Sequence, residues 1–325
     1  IFDFFFKYVK CQKIKVAFIG AGNMCKEHIK AFSSIKDVEI VGIFSRTKSN
    51  AELLANEYPS LQVYSSIKNL YYKSKADLVI IAVSIESTTQ ICFEALNYNW
   101  KLLVEKPVGT NYEEALKINE LVNSKGADLF VALNRRYYGS TIKLTNILEQ
   151  YNGRRIVNIT DQEDIDLITK MGFTKHILRN WMYANSIHLI DFLTIFCRGK
   201  FEDIEIIEKW NPSKPNFVMA KLNFTSGDIG IFQSFWRSPY PWSVVVTTQG
   251  LRGELKPLEK LNMQYGSSRK KHQYNEDIED INFKPGLFRQ AQNIINYMKG
   301  KESSLVRLEE ANKSMFLTSK IFEKK

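Results

Sequence analysis

Short, nearly continuous apolar runs recur through the first 135 residues. They are separated by longer stretches with helical spacing. Residues 14–19, 38–44, 78–83, 101–106 and 129–133 read as strands, the fourth built on Leu102, Leu103 and Val104. Unbroken apolar character suits strands covered on both faces. Helical patterns fill 23–33, 48–58 and the stretch from Ser84 to about Asn97. Asn111 can cap a further helix, with Glu113 and Glu114 in its first turn, where the helix dipole favours negative charge. Strands alternating with helices of this length predict a right-handed, mostly parallel, doubly wound α/β sheet that ends near Arg135.

The pattern then changes. After a helix at about 140–150, residues 154–162 read as a strand, and Asp161, Glu163, Asp164 and Asp166 read as a solvated acidic loop. The stretch 181–197 is helical and largely apolar. It carries Asn185, His188 and Asp191 at i, i+3 and i+6, roughly one face, where an amide and a carboxylate could orient the imidazole. From Phe201 onwards strands dominate. Val218, Ala220, Leu222 and Phe224 alternate with other residues, Thr225-Ser226-Gly227-Asp228 turns the chain, and 229–236 returns as a hairpin partner. Residues 242–248 and those after Gly250 continue an antiparallel meander, an α+β pattern rather than α/β. Phe288, Ala291, Ile295 and Met298 mark one face of a helix, and 305–325 reads as a last helix. The pattern divides the chain at 13–135 and 136–325.

Composition narrows the function classes. The chain has 325 residues and a net charge of +10. Its lysines are spread over the whole length, with only short clusters such as Arg269-Lys270-Lys271, and no basic arm or zinc-finger pattern is present. A solvated basic surface is therefore expected rather than a nucleic-acid site. The four cysteines form no CxxC pair, which points to free thiols in a reducing compartment and a cytoplasmic location. No stretch is long and apolar enough to cross a bilayer, and the apolar opening at residues 1–6 is too short to do so. No metal-ligand spacing is present, so no metal is expected.

The candidate chemistry sits at the ends of the first strands. Gly20-Ala21-Gly22 lies between a strand and a helix, the context of a dinucleotide fingerprint. Gly20 permits the turn. Gly22 lets the backbone approach a pyrophosphate held at the helix N-terminus, where Asn23 and Met24 follow. The third glycine of the usual pattern is Cys25 here, a small residue that can pack helix against strand with some loss. The second strand ends in Ser45-Arg46-Thr47-Lys48, with no carboxylate for a ribose 2′-hydroxyl and with donors suited to a 2′-phosphate. NADP is therefore preferred, with NAD as the alternative if Arg46 stacks on the adenine or faces solvent. Ser84 lies at the mouth of the 78–83 strand. Lys106, held between Glu105 and Pro107, stands where an open parallel sheet binds its ligands, and can meet cofactor and substrate together. The competing reading is a surface lysine that caps an ordinary strand.

These residues resemble the Gfo/Idh/MocA oxidoreductases, named for glucose–fructose oxidoreductase and inositol dehydrogenase. The resemblance runs from about Lys13 to the end. It rests on Gly20-Ala21-Gly22 followed by His28, on Glu105-Lys106-Pro107, on Asn134-Arg135-Arg136 and on Ile187-His188-Leu189-Ile190-Asp191. Pro241-Trp242-Ser243 and Pro257-Leu258-Glu259 are similar to members found in bacterial surface-polysaccharide pathways. The resemblance implies an N-terminal Rossmann domain and a C-terminal open-faced antiparallel sheet whose helices can pack back on the first domain. It also implies a Lys106–Pro107 bond that is often cis, and homodimers or homotetramers formed through the flat sheet. The activity it implies is hydride transfer between NAD(P) and a hydroxyl or carbonyl of a sugar or nucleotide sugar. His188 would be the base, and Lys106 would stabilise charge on the reacting oxygen. Gly20, Gly22, Asn23, Met24, Ser45, Arg46, Ser84, Glu105 and Lys106 would surround the cofactor, and Arg135, Asn185 and Trp181 the substrate. Segments 161–180 and 237–242 would set specificity, with Trp181, Trp236, Tyr240 and Trp242 available for stacking or for core packing. The chain departs from the family's Asp-x-x-x-His at one place: the Asp position is Ala184, and Asn185 is the neighbour that could take over orientation. That departure keeps open a second reading, a non-catalytic NAD(P)- or sugar-binding sensor of the same fold, like relatives of the galactose-regulon repressor.

Overall fold

The computed structural model of the chain describes residues 13–323; the apolar opening at 1–6, Cys11 and the last two residues lie outside the described residues. The first sheet contains β1 (Ile14–Ile19), β2 (Val38–Phe44), β3 (Gln62–Tyr64), β4 (Leu78–Ile81), β5 (Lys101–Glu105) and β6 (Leu129–Ala132), in the order β3-β2-β1-β4-β5-β6. Every pairing is parallel. The apolar runs explain this arrangement, because both faces are buried. Val16, Phe18, Ile80 and Leu103 enter one core; Ala17, Ile19, Val79, Ile81, Leu102 and Val104 enter the other. The strand order reverses between β1 and β4, which opens a crevice at their carboxyl ends. Strand β3 and the helix Ile67–Ser74 were not foreseen, since the three residues of β3 are only partly covered and carry no strong pattern.

The second sheet contains β7 (Ile156–Gln162), β8 (Phe201–Glu208), β9 (Phe217–Phe224), β10 (Ile229–Phe235), β11 (Ser243–Thr248), β12 (Leu251–Leu255), β13 (Leu261–Tyr265) and β14 (His272–Tyr274). Their order is β14-β13-β12-β11-β7-β10-β9-β8. It is antiparallel except where β7 pairs parallel with β10. Val157, Ile159, Ala220, Leu222, Phe232, Val244 and Val246 point from one face into a core shared with the helices Ile187–Phe196 and Leu308–Ile321. The opposite face is only half-covered, carrying Ile231, Gln233 and Val245. Trp236, a candidate for ligand stacking, lies fully inside this core against Trp210.

The last helix joins the two layers. It packs against β6 and the helix Tyr112–Lys125 on one side and against Ile187–Phe196 on the other. A buried charge cluster pins it: Arg136 donates to both oxygens of Asp191 at 2.8 and 2.7 Å and pairs with Glu310, while Ser314 donates to Asp191 at 2.6 Å. Asp191 is thus taken up by Arg136 and Ser314 and does not orient His188, whose Nδ1 has no hydrogen-bond partner among the described residues, although the two lie three residues apart on the α-helix Ile187–Phe196. Replacing Asp191 with Asn should therefore lower stability by about 3 kcal/mol, because it removes the buried one of the two carboxylates that neutralise the Arg136 guanidinium. The thermal midpoint should fall while the pH dependence of any turnover is unmoved; calorimetry together with a pH–rate profile checks both halves.

Candidate functional site

The crevice begins at the glycine turn. Gly20 has φ +116°, and a Cβ placed there would lie 2.0 Å from the carbonyl oxygen of Ala82, so only glycine fits between β1 and β4. Gly22 opens the helix Asn23–Ser33, whose first turn has no side-chain cap. Its free N–H groups face outward, and a Cβ on Gly22 would meet nothing within 4 Å. Cys25 is fully buried, and its Sγ donates to the Gly20 carbonyl at 3.0 Å. Burial pushes the thiol up, so it stays neutral and serves as a small packing group where the usual pattern has glycine.

A pocket of about 480 Å³ lies over this turn, bounded by Gly20, Gly22, Asn23, Met24, Ser45, Arg46, Thr47, Asn50 and Ser84. Among the described residues that line it, none is acidic. Ser45 Oγ accepts from the Thr47 amide at 3.2 Å and thereby shapes the loop that presents the exposed Arg46. Ser84 caps the mouth of β4, sharing a hydrogen bond with Ser87 at 2.9 Å. A glycine cradle, an uncapped helix N-terminus and a basic rim fit a dinucleotide with its pyrophosphate at the helix end.

Strand β5 delivers the next residues. Glu105 hydrogen-bonds the buried His28 at 2.7 Å, tying the end of the strand to the helix that follows the glycine turn. The Lys106–Pro107 peptide is cis. Lys106 Nζ donates to the carbonyl oxygen of Ala184 at 2.6 Å. Burial lowers its pKa to about 8, aided by Arg135 and Lys284 and opposed by Glu105 and Glu163. His188 stands at the start of its helix, 9% exposed. Burial first, then the charges of Arg135, Lys106 and Lys284, hold it well below the ordinary histidine value, so the imidazole is neutral at pH 7. Its Nδ1 has no hydrogen-bond partner among the described residues. Lys106, 82 positions before His188 in sequence, thus lies close enough for its charge to depress the imidazole.

The acidic segment after β7 is not a solvated connection. Asp161 is 0% exposed and Glu163 2%. Glu163 accepts from Trp181 Nε1 at 2.7 Å and from Asn185 Nδ2 at 2.9 and 3.0 Å. Burial and the nearby Asp161 raise its pKa to about 8. Burial likewise raises Asp161, which accepts from Ser234 at 2.8 Å. Only Asp164 behaves as a loop residue, capping the helix Ile165–Lys170 through the Leu167 amide. A signal for the buried pair was present: Val157, Ile159, Asp161 and Glu163 continue one period-two series, and the first two are core residues. Trp181 and Asn185, candidates for the substrate side, are half-buried and both hydrogen-bond Glu163. Arg135 stacks on Trp242 with its guanidinium 4.3 Å from the ring centroid. Its Nη1 is buried without a partner among the described residues. Trp242 in turn donates to the Gln162 carbonyl at 2.8 Å. The segment after Asp164 crosses to the first sheet's rim, where His176 hydrogen-bonds Thr110 at 2.8 Å and Thr174 donates to Glu86. Among the described residues no cluster of side chains suited to a metal ion is present, and no helix is long and apolar enough to cross a membrane.

Comparison with known proteins adds the following. Residues 14–133 match the Gfo/Idh/MocA profile, described as an oxidoreductase family with an NAD-binding Rossmann fold. An uncharacterized oxidoreductase of Schizosaccharomyces pombe is 30% identical over 138 residues, covering 41% of this chain and 38% of that protein. The glucose-6-phosphate 3-dehydrogenase of Bacillus subtilis is 26% identical over 135 residues, covering 42% of this chain and 37% of that one. The chain thus matches well under half the length of these two relatives. The crystal structure of a dehydrogenase from Chromobacterium violaceum superposes with a TM-score of 0.82 at 15% identity, covering 96% of this chain and 95% of that one. It shares both the parallel and the mainly antiparallel sheet, as fold alone.

Proposed function

We propose that the chain, whose residues 14–133 match the Gfo/Idh/MocA oxidoreductase family, is an NADP-preferring oxidoreductase acting on a hydroxyl or carbonyl of a sugar or nucleotide sugar. The observation that carries this reading is the nearness of Lys106, which follows β5 in the sheet that carries the glycine turn, to the neutral His188. A bound nicotinamide dinucleotide would supply or accept the hydride; the rest is the work of the chain's own residues. Gly20, Gly22, Asn23 and Met24 hold the pyrophosphate at the helix N-terminus, with Ser84 and Glu105 bordering the path towards the substrate. Lys106 donates a hydrogen bond to the reacting oxygen and stabilises its developing negative charge. His188, held neutral, takes the hydroxyl proton in oxidation and returns it in reduction. Arg135 borders the substrate side. The sugar class rests on the glucose-6-phosphate 3-dehydrogenase relative. Retention of both Lys106 and His188 favours turnover over a binding-only sensor. Assembly into dimers or tetramers through the half-covered sheet belongs to the same reading.

The NADP preference rests on Arg46 and on the lack of an acidic residue among the described lining. Replacing Arg46 with Ala should weaken NADPH binding about tenfold or more and leave NADH within about twofold, as expected for loss of one charge-assisted phosphate contact. Fluorescence titration reads this directly. Equal binding of both cofactors by the wild type would retract the preference. The activity itself is tested by following NAD(P)H absorbance with a panel of sugars and sugar nucleotides; no turnover with any of them would favour the sensor.

A further inference from the structure

We propose that Glu163 is a positioning residue of the Lys106 site. It anchors the π-turn Met182–Ser186, so that the Ala184 carbonyl holds the Lys106 ammonium, and it supplies the negative charge that keeps Lys106 protonated. The proposal rests on the oxidoreductase reading only for its activity assay.

The geometry is a chain of three contacts. Glu163 follows β7 directly, and its amide donates to the Phe235 carbonyl at 2.8 Å, so the sheet fixes its backbone. Its carboxylate meets Trp181 and Asn185, with Ser186 Oγ at 3.4 Å, residues on both sides of Ala184. Ala184 in turn accepts the 2.6 Å bond from Lys106. The donors Trp181, Asn185 and Ser186 favour the ionised form of this carboxylate, against the burial and the Asp161 charge that push it up to about 8. Burial pushes the neighbouring Asp161 up as well, so the two acids do not both ionise near pH 7, and Glu163 carries the charge of the pair when Asp161 holds the proton. The groups that act on Lys106 are Glu105, Arg135, Glu163 and Lys284, and Lys106 itself acts on His188. Glu105 is already engaged with His28, and position 184 carries no side-chain acid. The second sheet therefore provides, from β7, the counter-charge that the helix lacks.

The test is the titration of Lys106, followed by NMR of protein labelled at the lysine ε-carbon, with the resonance assigned by Lys106→Arg. Glu163→Gln keeps the size and one acceptor oxygen but removes the charge; the Lys106 midpoint should fall from about 8 by about one pH unit. In the activity assay the alkaline limb should move down by the same amount, with kcat about fivefold lower at pH 8 and cofactor KM within about twofold. Asn185→Ala, a milder change, takes two donors from the carboxylate, lets it keep its proton to higher pH, and should lower the Lys106 midpoint by a smaller step. A merely structural anchor would lower the thermal midpoint and leave the titration unmoved, so a wild-type midpoint in both variants overturns the proposal. The NMR readout needs no substrate. A wild-type chain that turns over no sugar would sink the activity reading and still leave this one to be decided.

Discussion

Lys106→Ala should lower kcat/KM by about 10²–10³-fold, the loss expected when one pre-positioned donor to a developing oxyanion is removed. The geometry makes Lys106 difficult to replace. It follows the last residue of β5 directly, and its ammonium is aimed by the Ala184 carbonyl. Neither feature depends on the glycine turn, so NADPH binding in the variant should stay within a few-fold of wild type. Lys106→Arg should recover little, because a planar guanidinium cannot occupy the place of a compact ammonium against one carbonyl. The wild-type enzyme should lose activity as the pH rises through about 8, where the buried ammonium gives up its proton. Stopped-flow and steady-state rates for the three proteins, with cofactor affinity measured alongside, check these expectations. Wild-type rates in Lys106→Ala would return Lys106 to the status of a surface-type strand cap.

His188→Asn should reduce kcat by about 10²–10⁴-fold, the range for loss of a positioned general base. The pH dependence gives a sharper check. Burial and three nearby cations depress His188 below 6.5, so the imidazole is neutral through the physiological range. Activity should therefore hold as the pH falls through 6.5 and decline only at the lower pH where His188 takes up a proton. That acid limb should vanish in the Asn variant. The same depression has a stability consequence. The unfolded chain binds this proton more readily than the folded one, so folding stability is lost as the pH drops from 6.5 towards the folded value. The Asn variant should not share that loss, which urea titrations at pH 7 and pH 5 can resolve.

Much of the site was readable because it lies in local patterns. The glycine turn needs a strand before it and a helix after it, and all three are contiguous. Lys106 is marked by a buried run followed by Pro107. On a mostly apolar helix a histidine reads first as a core residue, and His188 stands out through the Ile187-His188-Leu189-Ile190-Asp191 motif. Asp191 does not serve His188 for a tertiary reason: Arg136 and Ser314, far away in sequence, take up its carboxylate. Helical spacing places residues on a face but does not say which distant side chains will meet them. Glu163 was misread because charge density was weighed above strand period. Its acidic neighbours suggested solvent, although Val157 and Ile159 already gave the inward phase.

The sequence by itself determined the two-layer plan and the glycine turn with Cys25 packed inside it, and it singled out Lys106 and His188 as candidates. Each depends on periodicity or on a backbone conformation that few residues allow. Only the tertiary structure decided which partners those groups have: Ala184's carbonyl for Lys106, His28 for Glu105, Trp181 and Asn185 for Glu163, Trp242 for Arg135. These contacts join β5, β7, the π-turn and the stretch before β11, segments tens of residues apart. Their distances are set by how the two sheets pack through the shared helices, and so is the low-dielectric setting that lowers Lys106 and His188 and raises Glu163. Burial is a property of the assembled chain, and the pKa values that the chemistry needs follow burial.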